Sequence, residues 1–211
     1  MPTVVAVADY EPGGRDRRAE SSADTLLPFA SLLAAVDKTG ISDDADTTAA
    51  DLDGGGSSFS AQALAASGLV PGETFAFGGS VFTWPSAATG GEADNVTGHG
   101  QSILLPGQGS RLALLATGTG SSAGGPLTVR YTDGTSETVS MSVPNWCCPP
   151  TGETPVAVRV KGKNTPAGPG QYPTVEYRVY YLEFAVDPGR TVQAVTLPDD
   201  STVHVFSAAV S

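Results

Sequence analysis

The sequence predicts an all-β protein, an antiparallel jelly-roll-like β-sandwich with one short helix. Two observations carry this prediction: glycine and proline are frequent, at 26 and 16 of 211 residues, and segments with helical periodicity are rare. Many short apolar runs joined by turn residues are typical of sandwiches and barrels. The length suits one domain plus a tail. We therefore assign residues 1–35 to an N-terminal tail or linker with room for one strand at 3–8, and residues 36–211 to the sandwich.

The charge excludes two classes of partner. The net charge is −11 with 11 basic residues, which is too few to build the basic patch that a nucleic acid or an anionic membrane requires. No apolar run approaches about 18 residues, so we expect no membrane span. Residues 1–10 lack the basic start and apolar core of a signal peptide. This fits a cytosolic protein or a piece of a longer exported chain, and the lysine-poor, serine- and glycine-rich composition favours an extracellular location.

Residues 40–69 combine an acidic cluster, a glycine turn and a helix. Three glycines at 54–56 permit conformations that no regular element adopts. Ser58 or Ser60 then precedes a run of helix formers and is predicted to cap a helix ending near Ala66. Gly68 suits the left-handed position after that helix, and Pro71 prevents its continuation.

Two hairpins are predicted after this helix. The runs 73–77 and 80–84 flank Gly78-Gly79, which is a typical hairpin turn. The runs 127–131 and 135–143 keep their apolar residues on one shared face only if the loop Thr132-Asp133-Gly134 has three residues with Gly134 left-handed. A two-residue turn would place the two apolar sets on opposite faces.

Other strands are predicted with less regular patterns. The runs 101–105 and 110–116 are apolar nearly throughout, which indicates cover on both faces. We expect a loop rich in glycine and proline at 161–173, followed by a long strand at 174–186. Its apolar residues change face near Val179-Tyr180, where we expect a β-bulge to realign them.

An acidic cluster predicts a structural calcium site. Asp43, Asp44, Asp51 and Asp53 lie close together in sequence, and carboxylates with backbone carbonyls suit calcium. The run from Asp51 to Gly54 resembles the start of an EF-hand loop, although Gln62 stands where the bidentate glutamate belongs and no helix precedes it. The alternative is a hydrated turn whose aspartates cap backbone amides.

Three aromatic residues are candidates for carbohydrate binding, because an aromatic face stacks on the apolar face of a sugar ring. Trp84 and Trp146 each end a strand next to a proline-containing loop, and Tyr172 lies in the predicted loop rich in glycine and proline. The alternative is that such aromatics fill a core.

The remaining reactive side chains favour no enzyme. His99 and His204 are too few for a typical zinc site, and we expect them to be structural, although a Ser/His/Asp arrangement stays open. No Gly-x-Ser-x-Gly motif is present. Cys147 and Cys148 are adjacent, so they are either two thiols or a strained vicinal disulfide.

A chain of short motifs resembles a known family. The resemblance spans roughly residues 36–211 and is to an accessory β-sandwich module found beside catalytic domains in large secreted bacterial glycoside hydrolases, α-mannosidases among them. It implies a galactose-binding-like sandwich that is not itself the hydrolase. The motifs, in order, are Gly40-Ile41-Ser42-Asp43-Asp44, Asp53-Gly54-Gly55-Gly56, Phe59-Ser60-Ala61-Gln62-Ala63-Leu64, Phe82-Thr83-Trp84-Pro85, Asp94-Asn95-Val96, Gly109-Ser110-Arg111-Leu112, Tyr131-Thr132-Asp133-Gly134-Thr135, Val195-Thr196-Leu197-Pro198 and His204-Val205-Phe206.

The predicted function is therefore a non-catalytic module that binds carbohydrate or supports a neighbouring catalytic domain. The alternatives are a purely structural spacer or interaction module, and a small hydrolase using a carboxylate pair such as Glu176 and Glu183. Glycoside hydrolysis needs two carboxylates about 5–10 Å apart. Strand positions seven apart lie on opposite faces and about 23 Å from each other, so this pair does not meet the requirement without a bulge.

Overall fold

The computed structural model describes residues 27–121, 123–148 and 154–211. The predicted strand at 3–8 and the sequence up to residue 26 lie outside them. One α-helix, α1, spans Ala61–Ala66. The strands are β1 (Ile41–Ser42), β2 (Phe59–Ser60), β3 (Thr74–Phe77), β4 (Ser80–Thr83), β5 (Val96–Thr97), β6 (Ser102–Gln108), β7 (Arg111–Gly118), β8 (Ala123–Tyr131), β9 (Ser136–Val143), β10 (Val156–Thr165), β11 (Gly168–Ala185), β12 (Thr191–Thr196) and β13 (Val203–Val210).

Two antiparallel sheets form the sandwich. One has the strand order β10-β11-β7-β13-β5, and the other has the order β6-β12-β8-β9. The core between them is built from the inward side chains of both sheets, among them Leu112, Leu114, Leu127, Tyr131 and Tyr180. The predicted class, an antiparallel β-sandwich with one short helix, is confirmed.

A third layer covers the outer face of the five-stranded sheet. It consists of α1, the parallel pair β1–β2 and the hairpin β3–β4. A second core lies beneath it, and its members include Phe59, Leu64, Trp84, Leu115 and Tyr181. This layer explains why β7 is buried along nearly its whole length, as the apolar run at 110–116 predicted.

The same layer changes the interpretation of β11. Tyr177, Val179 and Tyr181 belong to the second core, whereas Tyr180 and Leu182 belong to the first. The apolar residues change face because both faces are covered, so the prediction of a bulge that realigns them is wrong. A register shift does occur here, but Val156 pairs with Tyr180 and Val158 with Val179, which places the extra residue on β10.

The prediction of a loop at 161–173 is also wrong. Strand β10 continues to Thr165 and β11 begins at Gly168, so these residues form an irregular hairpin arm. Register shifts on both sides of Lys163 accommodate the glycines and prolines, which a regular ladder would not tolerate.

The helix and both predicted hairpins are confirmed. Ser60 caps α1 by accepting a hydrogen bond from the amide of Ala63 at 3.0 Å, and Gly68 is left-handed with φ 99°. In the β8–β9 hairpin Leu127 pairs with Val139, and the three-residue loop has Gly134 at φ 84°.

The segment before β1 is attached to the sandwich. Phe29 forms a parallel bridge with Ile103, and a single 3-10 turn at Leu33–Ala35 places Ala35 in the first core. Between residues 29 and 36 this turn is the only helical element. Among the described residues no helix is long and apolar enough to cross a membrane.

Candidate functional site

The strongest candidate site surrounds the ammonium group of Lys163, on β10. The Nζ atom donates to Ser57 Oγ at 2.6 Å and lies 3.4 Å from Asp53 Oδ2. Three aromatic rings surround the same atom, with centroids at 5.6 Å for Trp146, 5.6 Å for Tyr172 and 5.9 Å for Tyr177. We call these residues, Asp53, Ser57, Trp146, Lys163, Tyr172 and Tyr177, the Lys163 cluster. Cations over aromatic faces are attracted by the ring quadrupole.

The glycine turn positions Asp53. Its Oδ1 accepts hydrogen bonds from the amides of Gly55 at 2.9 Å and Ser57 at 3.1 Å. Burial opposes ionisation of Asp53, but these amide bonds, the Ser57 hydroxyl and the charge of Lys163 outweigh it and lower the pKa of the carboxyl. The cluster therefore holds a carboxylate and an ammonium side by side.

Tyr172 is the exposed member of the cluster. Its relative exposure is 61 %, and its φ is +58°, the only positive φ among the described residues other than glycine. A bulky residue in this conformation is a true outlier, and such strain tends to occur at functional sites. The irregular register around Lys163 imposes the conformation, because Lys163 pairs with Gln171 and Thr165 with Gly168.

The expectation that Trp84 and Trp146 are exposed is wrong. Their relative exposures are 1 % and 3 %, and both belong to the second core. The ring of Trp84 stacks on Phe206 at 5.1 Å, and Trp146 packs edge-on against Phe59 at 5.0 Å. Each tryptophan follows a predicted strand, but the third layer and the five-stranded sheet enclose both side chains in the second core. Trp146 still belongs to the candidate site, because its ring lies against the ammonium group of Lys163.

Trp84 has a second unusual property. Its indole Nε1 is the one buried side-chain nitrogen or oxygen without a hydrogen-bond partner in the described part of the chain. An unpaired buried donor costs free energy. Packing of the large ring against Phe206 and its neighbours offsets this cost.

The four aspartates of the predicted calcium site accept hydrogen bonds from other groups of the chain. Asp43 accepts from the amide of Ala45 and the side chain of Gln62, and Asp44 accepts from Asn164. Asp51 accepts from the amide of Gly56. The described residues contain no group of three or more histidine, cysteine or acidic side chains placed to hold a metal ion. The residues therefore do not fit calcium, whose coordination needs six to eight converging oxygens.

Gln62 has a role that the sequence comparison with an EF-hand did not foresee. It bridges two of these aspartates, because its Nε2 donates to Asp43 at 2.9 Å and its Oε1 accepts from the amide of Asp44 at 3.1 Å. These bonds contribute to a pKa of Asp43 below its usual range, the largest contribution being the amide of Ala45. The arrangement matches the alternative of aspartates that cap turns.

His204 is a satisfied structural histidine, as expected. Its Nδ1 donates to Asn95 Oδ1 at 2.9 Å, and its Nε2 accepts from Thr119 Oγ1 at 3.2 Å. Burial, reinforced by the charge of Lys38, lowers its pKa to about 4, so the ring is neutral at pH 7. A base with this pKa is far from the range that suits proton transfer at neutral pH.

Asn95 connects His204 to a buried carboxylate. Its Nδ2 donates to Asp94 Oδ1 at 2.8 Å, and Asp94 also accepts from the amides of Gly40 and Ile41. Burial raises the pKa of Asp94 to about 7 despite these three donors. This network joins the segment before β1 to β13 and includes residues from three of the motifs noted in the sequence.

The tertiary structure brings both histidines to one polar pocket. The pocket has a volume of about 410 Å³ and is lined by His99, His204, Asp37, Lys38, Thr119 and Thr202, with others. His99 is exposed and lies 3.9 Å from Asp37. The sequence does not predict that these residues share a pocket, because they come from four separate segments of the chain.

The carboxylates of the hydrolase alternative are paired with arginines. Glu176 lies 3.0 Å from Arg178, and Glu183 lies 3.2 Å from Arg111. The two glutamates lie seven positions apart along the regular part of β11. Neither the pairing with β10 nor the pairing with β7 places an extra residue on β11 between them. The residues that sequence reasoning missed are Lys163 and Ser57, which had no motif to distinguish them from surface residues.

Fold and site together define a β-sandwich module with a single aromatic residue exposed over a partly buried ion pair. The chain belongs to the AziU2-like beta-sandwich domain family, whose model matches residues 30–211. No curated protein matches the chain.

Proposed function

We propose that the chain is a non-catalytic module that binds carbohydrate at the Lys163 cluster, outside the cell, beside a glycoside hydrolase domain. The observation that supports it is the exposed ring of Tyr172, held at φ +58° over the Asp53–Lys163 pair. The resemblance of residues 36–211 to accessory modules of secreted hydrolases supplies the location and the catalytic partner.

The chemistry of the cluster suits a sugar. The Tyr172 ring offers a flat apolar face for the C–H groups of a pyranose. Lys163 and Asp53, with side chains 17 % and 20 % exposed, supply a donor and an acceptor for hydroxyl groups at the edge of that ring. Both are already held by Ser57 and by backbone amides, so little conformational entropy is lost when a ligand binds.

A glycan array followed by titration calorimetry tests the proposal. We expect the wild type to bind at least one class of glycan and Tyr172→Ala to lose that binding. Val81→Ala is the matched control, because Val81 is 63 % exposed on β4 and is not part of the cluster. Thermal melting of each variant verifies that it is folded.

Two results would contradict the proposal. Wild-type protein that binds nothing on the array would favour the alternative of a structural spacer or interaction module. Binding that survives Tyr172→Ala would place the carbohydrate elsewhere. A second measurement addresses the partner: we expect a separately expressed glycoside hydrolase domain from the same organism to be retained on immobilised wild type and on the Tyr172→Ala variant alike.

A further inference from the structure

The two cysteines of the chain form a close pair. Their sulfur atoms lie 2.8 Å apart, and Cys148 is exposed whereas Cys147 is half-buried. These are the chain's only cysteines, so each has no other intramolecular thiol partner. Cys147 packs against the second core, next to Trp146.

The backbone around the pair is held in place by Asn145. Its Oδ1 accepts from the amides of Cys147 at 3.0 Å and Cys148 at 3.4 Å, and its Nδ2 donates to the carbonyls of Thr119 and Gly120. The Arg178 guanidinium also donates to the carbonyl of Cys147 at 3.0 Å. These bonds hold the backbone of both cysteines against β11 and against the residues that follow β7.

We propose that Cys147 and Cys148 react reversibly with small disulfides. Cys148 attacks the small disulfide first, and Cys147 then resolves the mixed disulfide that forms on Cys148. The reaction of this pair does not require carbohydrate binding, although Cys147 adjoins Trp146 of the Lys163 cluster. The substrate class is a low-molecular-weight disulfide such as oxidised glutathione.

The reaction has two balanced steps. The thiolate of Cys148 attacks one sulfur of the small disulfide, the S–S bond of that disulfide breaks as the mixed disulfide forms, and the first small thiol leaves as a thiolate that then takes up a proton. The thiol of Cys147 then loses its proton and attacks the sulfur of Cys148. This step closes the vicinal disulfide and releases the second small thiol, so that the two cysteines are oxidised by two electrons and the small disulfide is reduced.

Exposure assigns the two roles. A bulky disulfide reaches the exposed Cys148 more readily than the half-buried Cys147. Burial, together with the hydrogen bond to Cys148, raises the pKa of Cys147 to about 11, which leaves little of the thiolate that an attack requires. Within a mixed disulfide at Cys148, however, the sulfur to be attacked lies directly beside Cys147. The high effective concentration of the two groups then compensates for the small fraction of Cys147 thiolate.

The product is expected to be easily reduced. Neighbouring Cα atoms lie about 3.8 Å apart, which is closer than the 4.4–6.8 Å typical of disulfides. Strained and exposed disulfides have the more oxidising potentials of labile, regulatory bonds. The fraction of oxidised pair should therefore follow the ratio of small disulfides to small thiols, and small thiols should reduce the vicinal disulfide again.

Intact-mass measurement after incubation with oxidised glutathione and acid quenching tests the proposal. Wild type should lose two hydrogen atoms without gaining glutathione, and reduced glutathione should restore its mass. Cys147→Ser should keep one glutathione on Cys148, because no resolving thiol remains. Cys148→Ser should gain glutathione roughly tenfold more slowly than Cys147→Ser.

Three results would overturn the inference. They are a wild type that retains glutathione, a wild type that forms disulfide-linked dimers in place of the ring, and a Cys148→Ser variant labelled as fast as Cys147→Ser. Serine replaces each sulfur with little change in volume, and melting curves of both variants show whether each remains folded.

Discussion

Lys163 Nζ lies 3.4 Å from Asp53 Oδ2, so an ammonium group of the chain itself neutralises a carboxylate that the sequence predicted as a calcium ligand. Both side chains are about four-fifths buried. Coulomb attraction at this depth is stronger than at the surface, whereas an added divalent ion would have to displace a cation that is already bonded to Ser57.

The first prediction concerns calcium. We expect wild type to melt at the same temperature in calcium and in EDTA, because an ion that does not bind the folded state does not stabilise it. Differential scanning calorimetry under both conditions measures this. A melting temperature that rises with calcium in wild type but not in Asp53→Ala would restore the calcium site.

The second prediction concerns the ion pair. Asp53→Asn keeps an oxygen for the amides of Gly55 and Ser57 but removes the charge opposite Lys163. We expect it to lower the free energy of unfolding by about 1–3 kcal/mol, between the values for exposed and for fully buried pairs. Urea denaturation measures the change.

Asp199→Asn is the control for the ion pair, since Asp199 is exposed and the described residues offer it no ion-pair partner. It should change the stability by less than about 0.5 kcal/mol. An equal loss of stability in both variants would mean that the Asp53–Lys163 contact contributes nothing.

The third prediction separates the ring of Tyr172 from its backbone. Tyr172→Gly and Tyr172→Ala both remove the ring and its contact with Lys163, but only glycine adopts φ +58° without strain. We therefore expect Tyr172→Gly to be more stable than Tyr172→Ala by about 1–2 kcal/mol. Equal unfolding midpoints in urea would show that Tyr172 is not strained.

The fourth prediction concerns the buried indole of Trp84. Trp84→Ala should cost about 3–5 kcal/mol of stability, as core aromatics do. Trp84→Phe also removes the unpaired Nε1–H, which returns part of about 1–3 kcal/mol, so its cost should be clearly smaller. If phenylalanine costs as much as alanine in chemical denaturation, the indole N–H has a partner.

The fifth prediction is a pH dependence from His204. Its pKa is about 4 in the folded protein and 6.5 as the ordinary value. The unfolded chain therefore binds the proton more readily, and the stability from neutral His204 is fully present above pH 6.5 and is lost as the pH falls through about 4. The loss is on the order of 3 kcal/mol.

Asp94 opposes this trend, because its pKa is raised to about 7 from 3.8. Its contribution is present below pH 3.8 and is lost as the pH rises through 7. The measurement is therefore the difference in unfolding free energy between wild type and His204→Gln across pH 4–7, in which the contribution of Asp94 cancels to first order. A difference that does not depend on pH would contradict the assigned histidine pKa.

The sequence by itself determined the local structure. Gly134 and the parity of Leu127 and Val139 specify a three-residue loop, and Ser60 and Gly68 mark the ends of the helix, because caps, turns and strand alternation depend on neighbours a few positions away. The sandwich class followed from the same local signals repeated along the chain.

Only the tertiary structure decided which residues form the site. Alternation along β11 cannot reveal that a third layer covers its outer face, so the apolar residues on both sides of Tyr180 looked like a bulge. The same layer buries Trp84 and Trp146, which a strand-end position alone suggested were exposed. Lys163 meets Asp53 across more than a hundred residues of chain, and no local pattern encodes that contact, because burial and charge pairing depend on which segments pack together.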